Sequence, residues 1–192
     1  MGEKLRSAVP ALAAAAAVLL ALSACGGDGG GSEEAAEPPA ADGDSGDSES
    51  TGTGLDFETR TVDGDDFEGA SLQGEPAVLW FWAPWCTVCR GEAEDVANVA
   101  ARYEGEVEFY GVAGRGEVDA MREFVSDTGM EQMTHIVDED GGIWSGFDVT
   151  GQPSFSFVRP HGTHLTVSGT LAEEEIDGYI ADELLDAGQD AS

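Results

Sequence analysis

"PAVLWFW", Pro76 to Trp82, is a continuous apolar run. Such a run marks a strand buried on both faces. "VEFYGVA", residues 107 to 113, predicts a second buried strand. Between them, Cys86 to about Tyr103 favours helix, with Ala93, Val96, Ala97, Val99 and Ala100 along one side. Residues 117 to 128 predict an amphipathic helix with Val118, Met121, Phe124 and Val125 facing inward. "FETRTVDGDDF" predicts an opening hairpin with a glycine at its turn, and "SFSFVRPHGTHLTVSG" a later one around Pro160 to Gly162. "THIVDEDGGIWSGFDV" predicts a short strand, an acidic turn and a short helix. From Glu173 to Ala187 a helix carries Ile176, Tyr179, Ile180, Leu184 and Leu185 on one face, with Thr170 and Glu173 at capping-box spacing. This order predicts an α/β fold: a mixed central sheet flanked by helices, an N-terminal hairpin extension and a β-α-β crossover through the first helix.

The first 54 residues follow a different pattern. Lys4 and Arg6 precede an Ala/Leu/Val run from Ala8 to Leu22. At about 15 residues it is short for a membrane span, which needs roughly 20, and it reads as an export signal. It ends in "LSAC", where small residues before Cys25 resemble a bacterial lipobox. The resemblance implies cleavage before Cys25 and lipidation of that residue; otherwise the run is an ordinary secretory signal and Cys25 is incidental. Residues 26 to 54 contain no aromatic residue and no Leu, Ile, Val or Met, so they have nothing to bury and are expected to form a disordered acidic tether. The expected organisation is a signal peptide over 1–24, a lipidated cysteine and tether over 25–54, a folded domain over 55–188 and a tail over 189–192.

A formal net charge of -31 makes the surface repel polynucleotides and anionic lipid headgroups, which excludes nucleic-acid binding. Acidity of this size reads first as solubilisation.

The cysteines carry the candidate chemistry. Cys25 stands apart; Cys86 and Cys89 form a C-x-x-C. Pro84 ends the strand just before them, so Cys86 falls at a helix N-terminus. Unpaired N–H groups and the positive end of the helix dipole there favour a thiolate. Cys89 follows one turn later, within reach of a disulfide. The pair suits reversible exchange, with Cys86 attacking and Cys89 resolving the mixed disulfide. Two other readings stay open. Zinc needs four ligands, which only His161 and His164 of "HGTH" could complete. A structural disulfide suits an exported chain, although so short a loop removes little entropy.

"FWAPWCTVCRGE" resembles the active site of the thioredoxin superfamily, and more closely the exported, membrane-anchored TlpA/ResA/DsbE-like redoxin lipoproteins. The resemblance spans about residues 55 to 187 and implies a thioredoxin-like fold. It maps Pro153 of "VTGQPSFSFV" onto the family's cis-proline, which leaves the preceding backbone free for a substrate strand, and Gln152 onto the residue facing the dithiol. It maps Glu92 onto a glutamate that assists proton movement; the same position otherwise reads as a solvated helix carboxylate. The buried acid that cytosolic thioredoxins carry six residues before the first cysteine is Trp80 here, which leaves Glu92 as the proton acceptor. Trp85 is expected to cover the dithiol and contact substrate, Trp82 to be core, Arg90 to be an exposed cation and His135 to be packed or at the surface.

The resemblance implies a thiol–disulfide oxidoreductase with no cofactor and no metal, since the dithiol itself carries two electrons. It implies protein thiols or disulfides as substrates, a membrane redox partner, and a monomer held by lipid at the extracytoplasmic face. A thiol peroxidase of related fold would need a Pro-x-x-x-Thr-x-x-Cys loop, and "FWAPW" has no threonine at the right place. A binding module that carries metal or senses redox state is the alternative of a different class. "Thr-Val" between the cysteines matches neither the thioredoxin pair nor the strong-oxidant pair, so direction stays open, with a lean towards oxidant.

Overall fold

Ala77–Trp82 forms β3, and all six of its residues are buried. It is the middle strand of a five-stranded sheet in the computed structural model, which describes residues 54–185. On one side β3 pairs in parallel with β4 (Glu108–Gly114), which pairs in parallel with β5 (Thr134–Asp138). On the other it pairs antiparallel with β6 (Ser154–Val158), which forms a hairpin with β7 (His164–Ser168). The order is β5-β4-β3-β6-β7. The sheet is therefore mixed, and its centre must be covered on both faces.

Alternation along β3 divides the interior in two. Val78, Trp80 and Trp82 face one core, filled by α1 (Thr87–Arg102), α2 (Val118–Thr128) and α4 (Glu173–Tyr179). Ala77, Leu79 and Phe81 face the other, closed by α3 (Gly142–Gly146), Leu55 and Leu72. Helix α1 presents Cys89, Glu92, Ala93, Val96 and Val99 to the first core, spaced for one helical face. It provides the crossover between the parallel strands β3 and β4.

The opening hairpin consists of β1 (Glu58–Arg60) and β2 (Asp66–Glu68), turning through Gly64 at φ 99°. It lies along the outer edge of β5: Val62 N–H donates to the His135 carbonyl at 2.8 Å, and Thr59 Oγ1 donates to the Val137 carbonyl at 2.6 Å. The hairpin thus covers backbone that an edge strand would otherwise present to solvent.

The C-terminal helix departs from expectation in two ways. After Tyr179 it continues as a π-helix, Ile180–Leu185, rather than as α-helix. Ile180 and Leu184 are both buried against the first core. The N-cap is Ala172, not Thr170, and the carboxylate reaching back is Glu175, whose Oε2 accepts from Ala172 N–H at 2.8 Å. Alanine has no oxygen to return the bond, so only half of a capping box forms. The expected end of this helix at Ala187, the signal, Cys25, the tether and the tail lie outside the described residues.

Candidate active site

Three features build the site: the end of β3, the start of α1 and the start of β6. Phe81 pairs with Ser154, so the strand leading to the cysteines runs beside the residues that follow Pro153. The Gln152–Pro153 peptide bond is cis. Cys86 is the N-cap of α1, with extended backbone (φ -77°, ψ 105°). Its Sγ accepts from Cys89 N–H at 3.0 Å, which takes up a donor the helix's first turn cannot use internally. Cys86 and Cys89 are joined as a disulfide, with Cα atoms 5.3 Å apart. Cys86 keeps 7% of its surface exposed and Cys89 none, so Cys86 is the sulfur a partner can reach.

Glu92 lies one turn beyond Cys89 on the same buried face of α1, with only 4% of its surface exposed. This is no solvated helix carboxylate. Trp80 Nε1 donates to its Oε1 at 2.8 Å, while Oε2 has no partner among the described residues. Burial pushes its carboxyl up to about 7; the Trp80 bond pulls the other way and Asp95 adds a little upward. Burial disfavours the charged form because no full counter-charge replaces the lost water. The indole at the position where cytosolic thioredoxins carry an acid thus holds the acid supplied by α1.

The tryptophans of β3 lead to a second buried polar group. Trp80 and Trp82 stack with centroids 6.0 Å apart, and Trp82 stacks on Phe124 at 4.2 Å. Trp82 Nε1 donates to His135 Nδ1 at 3.3 Å, and His135 Nε2 lies 3.1 Å from the Met130 carbonyl. Indole only donates and a carbonyl only accepts, so the neutral ring with its proton on Nε2 satisfies both contacts. Burial lowers the His135 pKa to about 4, with the Met130 carbonyl and nearby acids opposing weakly. His135 is a packed residue of the core.

At the surface, Trp85 is 60% exposed. Its Nε1 donates to the Arg115 carbonyl at 2.8 Å. Arg115 in turn donates from Nη1 to Gln152 Oε1 at 3.2 Å and from Nη2 to the Thr150 carbonyl at 3.0 Å. One residue of the loop after β4 therefore connects the cysteine loop to the segment before Pro153. The sequence reading missed Arg115; its visible signal is a charged residue between two glycines, "GRG", just past a buried strand. Arg90 is exposed as expected, paired with Asp127 at 3.3 Å and lying over the Phe124 ring.

His161 and His164 do not join the cysteines. His164 pairs with Val158, which pairs with Ala77 at the start of β3, whereas Cys86 follows its far end. The zinc reading required all four together, and among the described residues no group of three or more His, Cys, Asp or Glu is placed to hold a metal.

Comparison with known proteins agrees with this geometry. The AhpC/TSA family matches residues 53–165. The soluble secreted antigen MPT53 of Mycobacterium tuberculosis is 43% identical over 130 residues, covering 66% of this chain and 74% of that protein. The solved structure of MTB dsbF in mixed oxidised and reduced forms superposes with a TM-score of 0.64 at 47% identity, covering 67% of this chain and 96% of that one. A secreted Mycobacterium tuberculosis disulfide oxidoreductase, described as homologous to E. coli DsbE, gives 0.61 at 43% identity with the same coverage.

Proposed function

This chain belongs to the AhpC/TSA family, has a thioredoxin-like fold and is a thiol–disulfide oxidoreductase, and from that premise we propose that it donates disulfides to exported proteins. The observation that carries the direction is Cys86 at the N-cap of α1. Its sulfur accepts from Cys89 N–H and faces the positive end of a 16-residue helix. Groups that stabilise the thiolate stabilise the reduced enzyme, and this makes the disulfide a stronger oxidant.

The reaction proceeds in two exchanges. A substrate thiolate, lying as a strand beside Gln152 and Pro153 and against Trp85, attacks Cys86 Sγ. The Cys86–Cys89 bond breaks, a mixed disulfide forms, and Cys89 leaves as a thiolate. Glu92, with a pKa of about 7, gives that sulfur its proton. The second substrate thiolate then attacks the substrate sulfur of the mixed disulfide and releases Cys86. The substrate's two thiol protons pass to water and its two electrons to the enzyme, where Cys86 is released as a thiolate, Cys89 keeps the proton from Glu92 and Glu92 is reprotonated from water. A membrane redox partner takes the two electrons back. No cofactor takes part.

The working domain is residues 55–188, acting as a monomer. Cys25 is its lipid-bearing residue at the outer membrane face, 26–54 its tether, 1–24 the cleaved signal and 189–192 a tail. The sequence of a lipobox followed by an acidic, apolar-free stretch supports this. The secreted description of MPT53 supports the compartment.

Mixing the oxidised protein with a reduced two-cysteine peptide tests the activity. We expect stoichiometric peptide disulfide, and with Cys89→Ser, once activated at Cys86, a trapped mixed disulfide through Cys86. A peptide that stays reduced rules out disulfide donation.

A further inference from the structure

Arg115 stands apart from every other described cation. Arg60, Arg90, Arg102, Arg122 and Arg159 each pair with a carboxylate. Arg115, in a chain of net charge -31, has no carboxylate partner among the described residues. Its guanidinium instead binds two neutral oxygens, Gln152 Oε1 and the Thr150 carbonyl, and lies 4.7 Å over the Trp144 ring. Its own carbonyl accepts from Trp85.

Its backbone is equally unusual. Arg115 has φ 57°, in the left-handed region where a residue with a Cβ is uncommon. It lies between Gly114, where a Cβ would come within 2.8 Å of Trp144, and Gly116, where one would collide with Pro84. A third glycine would satisfy this turn with less strain. The chain keeps an arginine there, and strained positions of this kind persist where the surroundings hold them for a purpose. The contacts name the purpose: the side chain grips the segment before Pro153 while the backbone grips the tryptophan before Cys86.

We propose that Arg115 is a positioning residue for protein substrates: it ties Trp85 to the Thr150–Gln152 segment and so fixes the spacing of the two segments against which the substrate strand lies. It touches neither sulfur, so it acts on docking rather than on exchange chemistry. The inference rests on the oxidoreductase reading above.

The test uses Arg115→Gly, which suits the left-handed backbone, preserves the carbonyl that Trp85 binds, and removes only the side chain. Steady-state oxidation of a reduced, unstructured two-cysteine peptide is compared with the rate of reduction by dithiothreitol, which needs no strand-like docking. We expect KM for the peptide to rise at least about fivefold with kcat and the dithiothreitol rate within about twofold of wild type. Arg115→Lys, which cannot grip both oxygens, should recover only part of the loss. Gln152→Ala should raise KM as well, and the double variant should be no worse than Arg115→Gly alone, because that variant has already lost the Gln152 contact. An unchanged peptide KM in Arg115→Gly overturns the proposal. So does an equal loss towards peptide and dithiothreitol, which marks general structural damage, and so does full additivity with Gln152→Ala. If the wild-type protein itself fails to oxidise the peptide, the proposed disulfide donation fails instead.

Discussion

Two buried titratable side chains, Glu92 and His135, lie under the same pair of tryptophans and respond to pH in opposite senses. Glu92 ionises less readily folded than unfolded, at about 7 against 4.5. The folded state therefore binds the extra proton between those values, and stability contributed by Glu92 is lost as pH rises from 4.5 through 7. Glu92→Gln keeps an oxygen for Trp80 and removes the charge. We expect it to stabilise the protein by roughly 1–3 kcal/mol at pH 8 and not at pH 4, measured by urea unfolding. The same variant should slow peptide oxidation at least about tenfold and flatten its pH dependence near 7, if Glu92 gives Cys89 its proton as proposed. A variant with wild-type rates returns Glu92 to a purely structural role. His135 behaves conversely. Its folded pKa is about 4 against 6.5, so its contribution is complete above 6.5 and is lost as pH falls through 4. Protonation would point a second N–H at the Trp82 indole. His135→Gln offers a donor and an acceptor without titrating, and the acid limb of the urea midpoint should flatten; an unchanged limb assigns acid loss to other groups. The Cys86–Cys89 pair was legible because C-x-x-C is a local signal, and the cis bond at Pro153 only through the resemblance of "VTGQPSFSFV" to the family's segment. The burial of Glu92 was not, because it depends on Trp80 arriving from another element 12 residues away. Arg115 was invisible for the same reason: its partners come from 30 and 37 positions along the chain.

At the scale of elements, β4 shows how closely the sheet fits its aromatic layer. Gly111 lies between Trp80 of β3 and His135 of β5. A Cβ there would come within 2.7 Å of Trp82 Nε1 and would run into the His135 ring. Gly111→Ala should cost roughly 1–3 kcal/mol, since neither a stacked indole nor a buried imidazole can retreat. A urea midpoint within error of wild type would mean the aromatic layer is looser than its contacts imply. The strands and the first two helices were readable because each carries a period: continuous apolar residues for β3, and one apolar face in every 3.6 residues for α1 and α2. The C-terminal helix reads as α by the same rule, yet passes into a π-helix at Ile180. A pattern of Ile176, Ile180 and Leu184 fits either turn, so the sequence does not distinguish them. Thr170 and Glu173 have the spacing of a capping box, yet the helix begins two residues later, where Glu175 reaches back to Ala172 N–H and only half of a box forms.

For the whole molecule, charge is the dominant property. With 39 acidic residues against 8 basic ones, the folded chain repels itself, and its few ion pairs involve mostly exposed groups worth little each. Raising NaCl from about 0.01 M to about 0.5 M shortens the screening length from about 30 Å to about 4 Å, so the urea midpoint should rise. A midpoint that falls with salt would show that attractive pairs outweigh repulsion. The proposed disulfide donation requires the Cys86–Cys89 disulfide to be a reversible oxidant, the direction that a helix N-terminus favouring the Cys86 thiolate supports. Its reduction potential, measured by equilibration with glutathione, is the most direct test. The account predicts a reversible two-electron equilibrium near the oxidising end of the thioredoxin-like range, about -120 mV. A value at or below about -270 mV would make the protein a reductant, and the absence of any reversible equilibrium would remove the dithiol from its function altogether.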